Sequence, residues 1–344
     1  MAFPNWSLGT SYSPLAIRYS HNATMNSRAT PAGSTAASTV VWCLTDGKPG
    51  HENQSRGLIA ALGARRPLDV HFIAAPSVWC ASRDYFGNRF PVGDGLPCPR
   101  IILAAGHSTH AAAIAARRVR GGRLVVLMRP SLPLSWFDLC LIPEHDLPQS
   151  ASDDVISNVV RTRGVLNSVR PALRKDDRRG LLLIGGPSKH HDWDEQSMLQ
   201  QIEAVARSDD SIGWTLTTSR RTPASLLRAL QETPLENLQV MPCEKTPSGW
   251  VAAQLAAART AFVTEDSVSM VYESLSAGAD VGLLSVPRRR TSRVIRGVDR
   301  LIEQRAVIPF DDWRDHRFEH RQPVVLQEAD RCAGIVSERL LNAA

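Results

Sequence analysis

The chain has 344 residues, 43% of them hydrophobic, and a formal net charge of +6. That length suits about two domains of ~100–200 residues, and the apolar share allows a sizeable core in each. No apolar run reaches the ~18 residues of a membrane span, so the chain reads as soluble or peripheral. Its six cysteines are scattered, with no CxxC pair and no zinc-finger spacing, which points to reduced, buried thiols in a cytoplasmic protein. The positive charge is carried by Arg, since Lys occurs only at positions 48, 175, 189 and 245. A basic surface suits phosphate-bearing ligands, anionic lipid or nucleic acid. Few aromatics and no recognised module argue against nucleic acid.

Residues 1–38 are rich in Ser, Thr, Ala and Asn and contain no acid. With no long apolar stretch they make a poor secretory signal. They read as a disordered extension, or as an over-long start with Met25 as the true first residue. Order begins at the apolar strand Thr39–Leu44, followed by the turn Asp46–Gly47–Lys48–Pro49–Gly50–His51 and a helix stopped by Gly63. Val70–Ile73 is a second strand. Residues 76–99 read as a long loop with one helical turn. Arg100–Ala105 is a strand that turns through Gly106–His110 into an Ala-rich helix. Leu124–Met128 and Leu139–Ile142 are further strands, the latter ended by Pro143–Glu144–His145–Asp146. Residues 165–180 are polar and basic and read as a linker.

A second set then begins. Leu181–Ile184 is a strand followed by Gly185–Gly186–Pro187–Ser188–Lys189. Helices are expected at 194–207, 223–232 and 248–258, with strands at Gly213–Thr218 and Leu238–Met241. The strand Ala261–Thr264 leads through Glu265–Asp266–Ser267 into a helix ended by Gly278. Val281–Ser285 is the next strand, and helices are expected at 292–304 and 327–342. Buried runs alternating with helical patterns indicate parallel βαβ units. The fold expected is α/β, with two Rossmann-like doubly wound domains at 39–170 and 180–326 and a C-terminal helix at 327–344.

In open parallel sheets ligands bind at the carboxyl ends of the strands, and the polar clusters fall there. Gly185, Gly186, Ser188 and Lys189 suit a phosphate, although the loop is neither a Walker A motif nor GxGxxG. Ser219–Arg220–Arg221–Thr222 offers two guanidiniums. Asp266 or Ser267 would cap the helix that carries Ser269, Met270 and Glu273, and its free N–H groups favour an anion. His51, in a Gly-rich turn at a helix start, suits a general base, with Asp46 as the alternative. His107, His110 and His145 match no standard metal-ligand spacing, and no GxSxG elbow is present. Arg288–Arg289–Arg290, with Arg293 and Arg296, is the natural membrane or phosphate patch.

Trp42–Gln54, Pro143–Asp146, Ser219–Pro223 and Val263–Met270 resemble the mitochondrial-fission (elongated-mitochondria) factor family, whose bacterial homologues are described as candidate glycosyltransferases. The resemblance covers about residues 39–330. It implies a GT-B-like pair of domains facing a cleft. A more distant likeness is to the lipid-linked N-acetylglucosaminyltransferase of peptidoglycan synthesis. By that likeness His51 is a base or acceptor contact, Glu273 meets the nucleotide ribose, and Lys48, Gly50, Gln54, Gly106 and His145 lie on the acceptor side. The donor implied is a nucleotide-diphosphate sugar and the acceptor a lipid-linked or envelope glycan. The leaving diphosphate would be met by N–H groups and Arg, with no metal or other cofactor. A nucleotide-sugar epimerase of the same fold and a non-catalytic peripheral membrane or organelle-division-type factor are the alternatives, and the expected location is the cytoplasm or the inner face of the membrane. The acidic pair Glu265–Asp266 departs from the distant enzyme's pattern, and carboxylates beside a diphosphate are unfavourable unless turned elsewhere.

Overall fold

The structure is a computed structural model that describes residues 38–147, 157–232, 234–289, 292–316, 318 and 324–342. The expected extension at 1–38 lies, but for Ser38, outside the described residues, as does Arg290. In chain order the first half comprises β1 (Thr39–Thr45), α1 (Pro49–Gly63), β2 (Leu68–Ala74), α2 (Val78–Phe86), β3 (Ile101–Ala105), α3 (His110–Arg120), β4 (Arg123–Leu127), β5 (Leu139–Pro143) and β6 (Val159–Thr162). The second half comprises β7 (Asp176–Ile184), α4 (Glu195–Ala206), β8 (Gly213–Thr218), α5 (Ala224–Glu232), β9 (Leu238–Met241), α6 (Trp250–Ala257), β10 (Ala258–Thr264), α7 (Val268–Ser276), β11 (Asp280–Leu284), α8 (Arg293–Glu303), β12 (Ile308–Pro309) and α9 (Phe310–His316). A last helix, α10 (Glu328–Val336), is followed by a π turn, Ser337–Leu341.

Both sheets are six-stranded, and every pairing between their strands is parallel. The first runs β2-β1-β3-β4-β5-β6 and the second β12-β11-β10-β7-β8-β9. Successive strand residues point to opposite faces. Val41, Ile101, Leu103 and Val125 therefore join one core, and Trp42, Ile102, Ala104 and Val126 the other. The second sheet is sandwiched in the same way, with Leu181, Ala261 and Leu283 on one face and Leu182, Phe262 and Leu284 on the other. This explains why its strands are continuously apolar rather than alternating.

Each order reverses once. In the first sheet the reversal lies between β1 and β3, and in the second between β7 and β10. Loops at such a switch point diverge to opposite faces and leave a crevice. Asp46–His51 and Gly106–His110 flank the first crevice. Gly185–Lys189 and Glu265–Ser267 flank the second.

Three elements differ from the sequence reading. Residues 76–99 contain the helix α2, capped by the Ser77 hydroxyl, which accepts from Cys80 N at 3.3 Å. The polar stretch read as linker ends at residue 175, because β7 begins at Asp176 with four exposed residues before its buried run. Strand β6 has only four residues, and nothing in its local sequence marks it. The C-terminal helix packs on the first half: Cys332, Ala333 and Val336 sit in one core with Leu58 and Leu62 of α1. The chain thus passes from the first half to the second and back again.

Candidate functional site

The N-terminal crevice is built around Asp46. It lies at the end of β1, with its side chain only 5% exposed. His51 stands in the first turn of α1, where Pro49 supplies a preset φ. Its Nδ1 lies 2.9 Å from Asp46 Oδ2 and 3.1 Å from Oδ1. Ser108 Oγ donates to Oδ2 at 3.0 Å and the Lys48 N–H to Oδ1 at 3.2 Å. Burial pushes the Asp46 carboxyl up, but these hydrogen bonds outweigh it and hold the group below its ordinary value. An ionised Asp46 can only accept, so His51 Nδ1 carries the proton and Nε2 is left as an acceptor. No described residue bonds Nε2. A carboxylate that orients an imidazole in this way prepares it to take a proton from a hydroxyl. Asp46 is thereby placed to orient the His51 ring.

Gly106 is what lets the two residues stand there. Its φ is +90°, and a Cβ would lie 2.3 Å from His51 Nδ1. Beside the pair opens a hollow of about 400 Å³ lined by His51, His107, His110, Met128 and Arg129. Met128 takes φ +69° at the end of β4, a costly conformation for a side chain other than glycine. His110 is buried, and its Nε2 has no hydrogen-bond partner. Burial, with the nearby His107 and His51, pushes it down to about 4, so it is neutral near pH 7. Lys48 and Gly50 are exposed on the turn. Gln54, expected to face an acceptor, is instead buried and donates to Met128 Sδ at 3.3 Å. On α1 it lies one turn below His51, on the side that packs against the sheet.

The C-terminal crevice accounts for the acidic pair. The Asp266 side chain is fully buried and binds Arg221 Nη2 at 2.6 Å and the Gly186 N–H at 3.1 Å. Arg221 Nη1 donates to the carbonyls of Gly186 at 2.6 Å and Pro187 at 3.2 Å. Of the two guanidiniums expected at the diphosphate, Arg221 is therefore spent on bracing the Gly185–Pro187 loop. Asp266, expected to touch the donor or cap α7, serves that brace as well. Gly185 is required because a Cβ there would lie 2.3 Å from Asp266 Oδ2. Its N–H donates to Thr264 Oγ1 at 2.8 Å. Glu265 turns the other way, to Arg288 at 2.6 Å, and Arg288 also holds Asp299 at 2.7 Å. Burial pushes the Glu265 carboxyl up in spite of Arg288.

With both carboxylates turned away, the start of α7 is open. Ser267 occupies the N-cap position, but its side chain makes no capping bond. The first-turn N–H groups therefore have no side-chain acceptor among the described residues and, with the helix dipole, favour an anion. Ser269 is exposed and Met270 half-buried. Lys189 and Arg220 are exposed with no ion-pair partner among the described residues. Ser219 Oγ accepts from the Arg221 N–H at 3.1 Å. Ser188 Oγ accepts from the N–H groups of His190 and His191, both at 3.1 Å, and keeps its own proton to donate. Within the basic patch expected at 288–296, Arg289 pairs with Asp192 at 2.5 Å and Arg288 is engaged as above, while Arg290 and the side chain of Arg293 lie outside the described residues.

The two crevices face one another. Asn53, on the same turn of α1 as His51, donates through Nδ2 to Glu273 Oε1 on α7 at 2.7 Å. Burial pushes the Glu273 carboxyl to about 7, against the pull of that bond. At the rim Arg300 Nη1 stands 3.4 Å from Glu144 Oε2, and His145 packs against Gly297 of α8. Asn53, Ser108 and Thr264 enter the sequence reading only as members of longer stretches, and Arg288 only as part of the basic patch. Their partners are 62 residues away for Ser108 and 220 for Asn53, and no local pattern links them. Among the described residues no group of three or more His, Cys, Asp or Glu is gathered as for a metal.

Comparison with known proteins fits this geometry. RP120, an uncharacterised protein of Rickettsia prowazekii (strain Madrid E), is 21% identical, with 79% of this chain and 90% of that one covered. Among solved structures, Acinetobacter baumannii MurG superposes with a TM-score of 0.51 at 11% identity, covering 87% of this chain and 99% of that one. A Neisseria meningitidis UDP-GlcNAc 2-epimerase bound to UDP-GlcNAc gives 0.52 at 11% identity, covering 89% and 100%. At such identities the likeness establishes the fold, which is of the GT-B type. The sequence likeness reaches further, since the family model described as mitochondrial fission ELM1 matches residues 49–340. That span runs from the His51 turn through both crevices to the last turn of the chain, and the chain belongs to the mitochondrial fission ELM1 family.

Proposed function

We propose that the protein transfers a sugar from a nucleotide diphosphate to a hydroxyl acceptor. The observation that carries this is the opposition of two differently equipped crevices joined by Asn53 and Glu273. The second crevice offers N–H groups at the start of α7, the braced Gly185–Gly186 loop, Ser188, Lys189 and Arg220. These suit a diphosphate, the Asp266 carboxylate behind the loop being paired with Arg221. Glu273 Oε2, unbonded by any described residue, suits a ribose hydroxyl. The first crevice offers an acceptor hollow and a carboxylate-oriented imidazole. His51 Nε2 would take the proton as the acceptor oxygen attacks the anomeric carbon. The diphosphate would leave with the bonding electrons, its charge met by N–H dipoles and Arg220. The fold neighbour solved with UDP-GlcNAc supports a uridine nucleotide as the first donor to try.

A thermal-shift and calorimetric screen with UDP, other nucleoside diphosphates and their sugars tests this reading. UDP or a congener should raise the melting temperature, and Glu273→Ala should weaken its binding by about tenfold, the loss of one good hydrogen bond. His51→Ala should leave that affinity near wild type and abolish transfer. A flat screen, or transfer that survives without His51, defeats the proposal. A second reading, a nucleotide-sugar epimerase, is favoured by one observation: a carboxyl at about 7 in the cleft suits acid–base work on the sugar itself. Turnover of a UDP-sugar with no acceptor present would select it.

A further inference from the structure

Helix α2 is built inside out. Trp79, Arg83 and Phe86 follow i, i+4, i+7 spacing and form one stripe along the helix. That stripe faces solvent, with Trp79 88% and Phe86 84% exposed. Val78 beside it is 54% exposed. The inward side carries Ala81 and the carboxylate Asp84, both buried. Neither aromatic is needed for the core, which the small Ala81 joins with Phe90 and Ala112. Two large aromatics on one solvent-facing stripe are unusual on a soluble helix.

Their surroundings are basic. Arg83 at 3.6 Å and Arg89 at 3.3 Å share the single, nearly buried Asp84. Arg118 of α3 lies over the Tyr85 ring, 4.6 Å from its centroid, with no ion-pair partner among the described residues. Two guanidiniums thus share one shielded carboxylate, and a third lies over the neighbouring Tyr85 ring. Aromatics that stand out between arginines match a bilayer surface: the rings enter the headgroup boundary and the guanidiniums meet anionic phosphates. A protein groove would match the rings but has no general need of the arginine frame.

Position adds to the argument. Trp79 lies shortly past the carboxyl end of β2, the same sheet end that carries Asp46 and His51. From there α2 runs about 10 Å to Phe86, at 1.5 Å per residue. We propose that the Trp79–Phe86 face of α2, framed by Arg83, Arg89 and Arg118, is a docking surface for an anionic lipid bilayer. A protein seated on this face holds the acceptor hollow near the bilayer. The docking surface itself does not depend on the sugar-transfer reading.

Flotation of the full chain with phosphatidylcholine–phosphatidylglycerol vesicles, and with phosphatidylcholine alone, tests it. Wild type should float with the anionic vesicles and far less with the neutral ones, and salt should weaken it. The double variant Trp79→Ser, Phe86→Ser should bind at least about tenfold more weakly while its circular dichroism and melting temperature stay unchanged. Trp79→Phe should still bind but lose a component of the fluorescence quenching by brominated lipid, separating Trp79 from the other seven tryptophans of the eight in the chain. Three results overturn the proposal. One is no flotation of wild type. Another is equal flotation of the double variant, or undiminished quenching in Trp79→Phe. The third is a concentration-dependent dimer that the double variant abolishes, which would assign the face to a second copy.

Discussion

Glu273 is held where the two halves meet, with one oxygen bonded by Asn53 and the carboxyl pushed from an ordinary 4.5 to about 7. Between these values the folded protein keeps a proton that the unfolded chain has released. Stability therefore falls as pH rises from about 4.5 to about 7, and the loss is complete above that window. A shift of this size is worth on the order of 1–3 kcal/mol for a carboxyl that keeps some solvent contact. Glu273→Gln keeps the acceptor oxygen for Asn53 and removes the titration. Denaturant unfolding should find the variant more stable relative to wild type at pH 8 than at pH 5 by that amount. An equal difference at both pH values would refute the shift. The same reasoning separates the neighbouring carboxylates. Asp266 and Glu265 are each paired with an arginine and build the loop frame, whereas Glu273 has only a neutral amide and keeps one oxygen free for a ligand.

At the scale of elements, the strand-to-turn-to-helix units hold the residues of the proposed site, and glycines set how closely they approach. Gly106→Ala would demand a left-handed φ from an alanine and drive a methyl into the His51 ring. The cost should be about 1–3 kcal/mol, from the backbone strain and the displaced side chain together. The low-field Nδ1 proton resonance of His51, held by Asp46, should disappear. Retention of that resonance with normal stability would show that the close approach is unimportant. Most elements were legible as apolar runs between polar turns. Helix α2 was not, because Trp79 and Phe86 face solvent and its fully buried positions, Ala81 and Asp84, are small or charged. Hydrophobic periodicity assumes that apolar residues point inward, and here it pointed the wrong way.

At the scale of the molecule, the chain crosses twice between halves. The first crossing places Gly164 so close to Tyr272 that a Cβ would lie 2.1 Å from the ring. There Asn167 Nδ2 also donates to Ser276 Oγ at 2.9 Å. On the return Glu328 Oε2 accepts from the Arg163 N–H at 3.0 Å, and α10 completes the core over α1. Val336→Asp would bury a carboxylate in that core and should cost more than about 3 kcal/mol. Hydrogen exchange should then show the first sheet opening well before the second. Equal protection of both sheets would contradict the role given to α10.

The sequence by itself determined the two parallel sheets and the strand ends at which the polar loops gather. Those features follow from local periodicity and from turn residues, which need no knowledge of distant contacts. It also determined the family resemblance, through short ordered motifs such as Asp46–Gln54 and Glu265–Met270. Only the tertiary structure decided what each polar side chain does there. Asp46 orients His51, Asp266 claims Arg221, Gln54 turns inward, and Asn53 reaches Glu273 from 220 positions away. The physical reason is that a buried or bridging polar group is defined by its partner. Partners brought together by a doubly wound fold leave no trace in their sequence spacing.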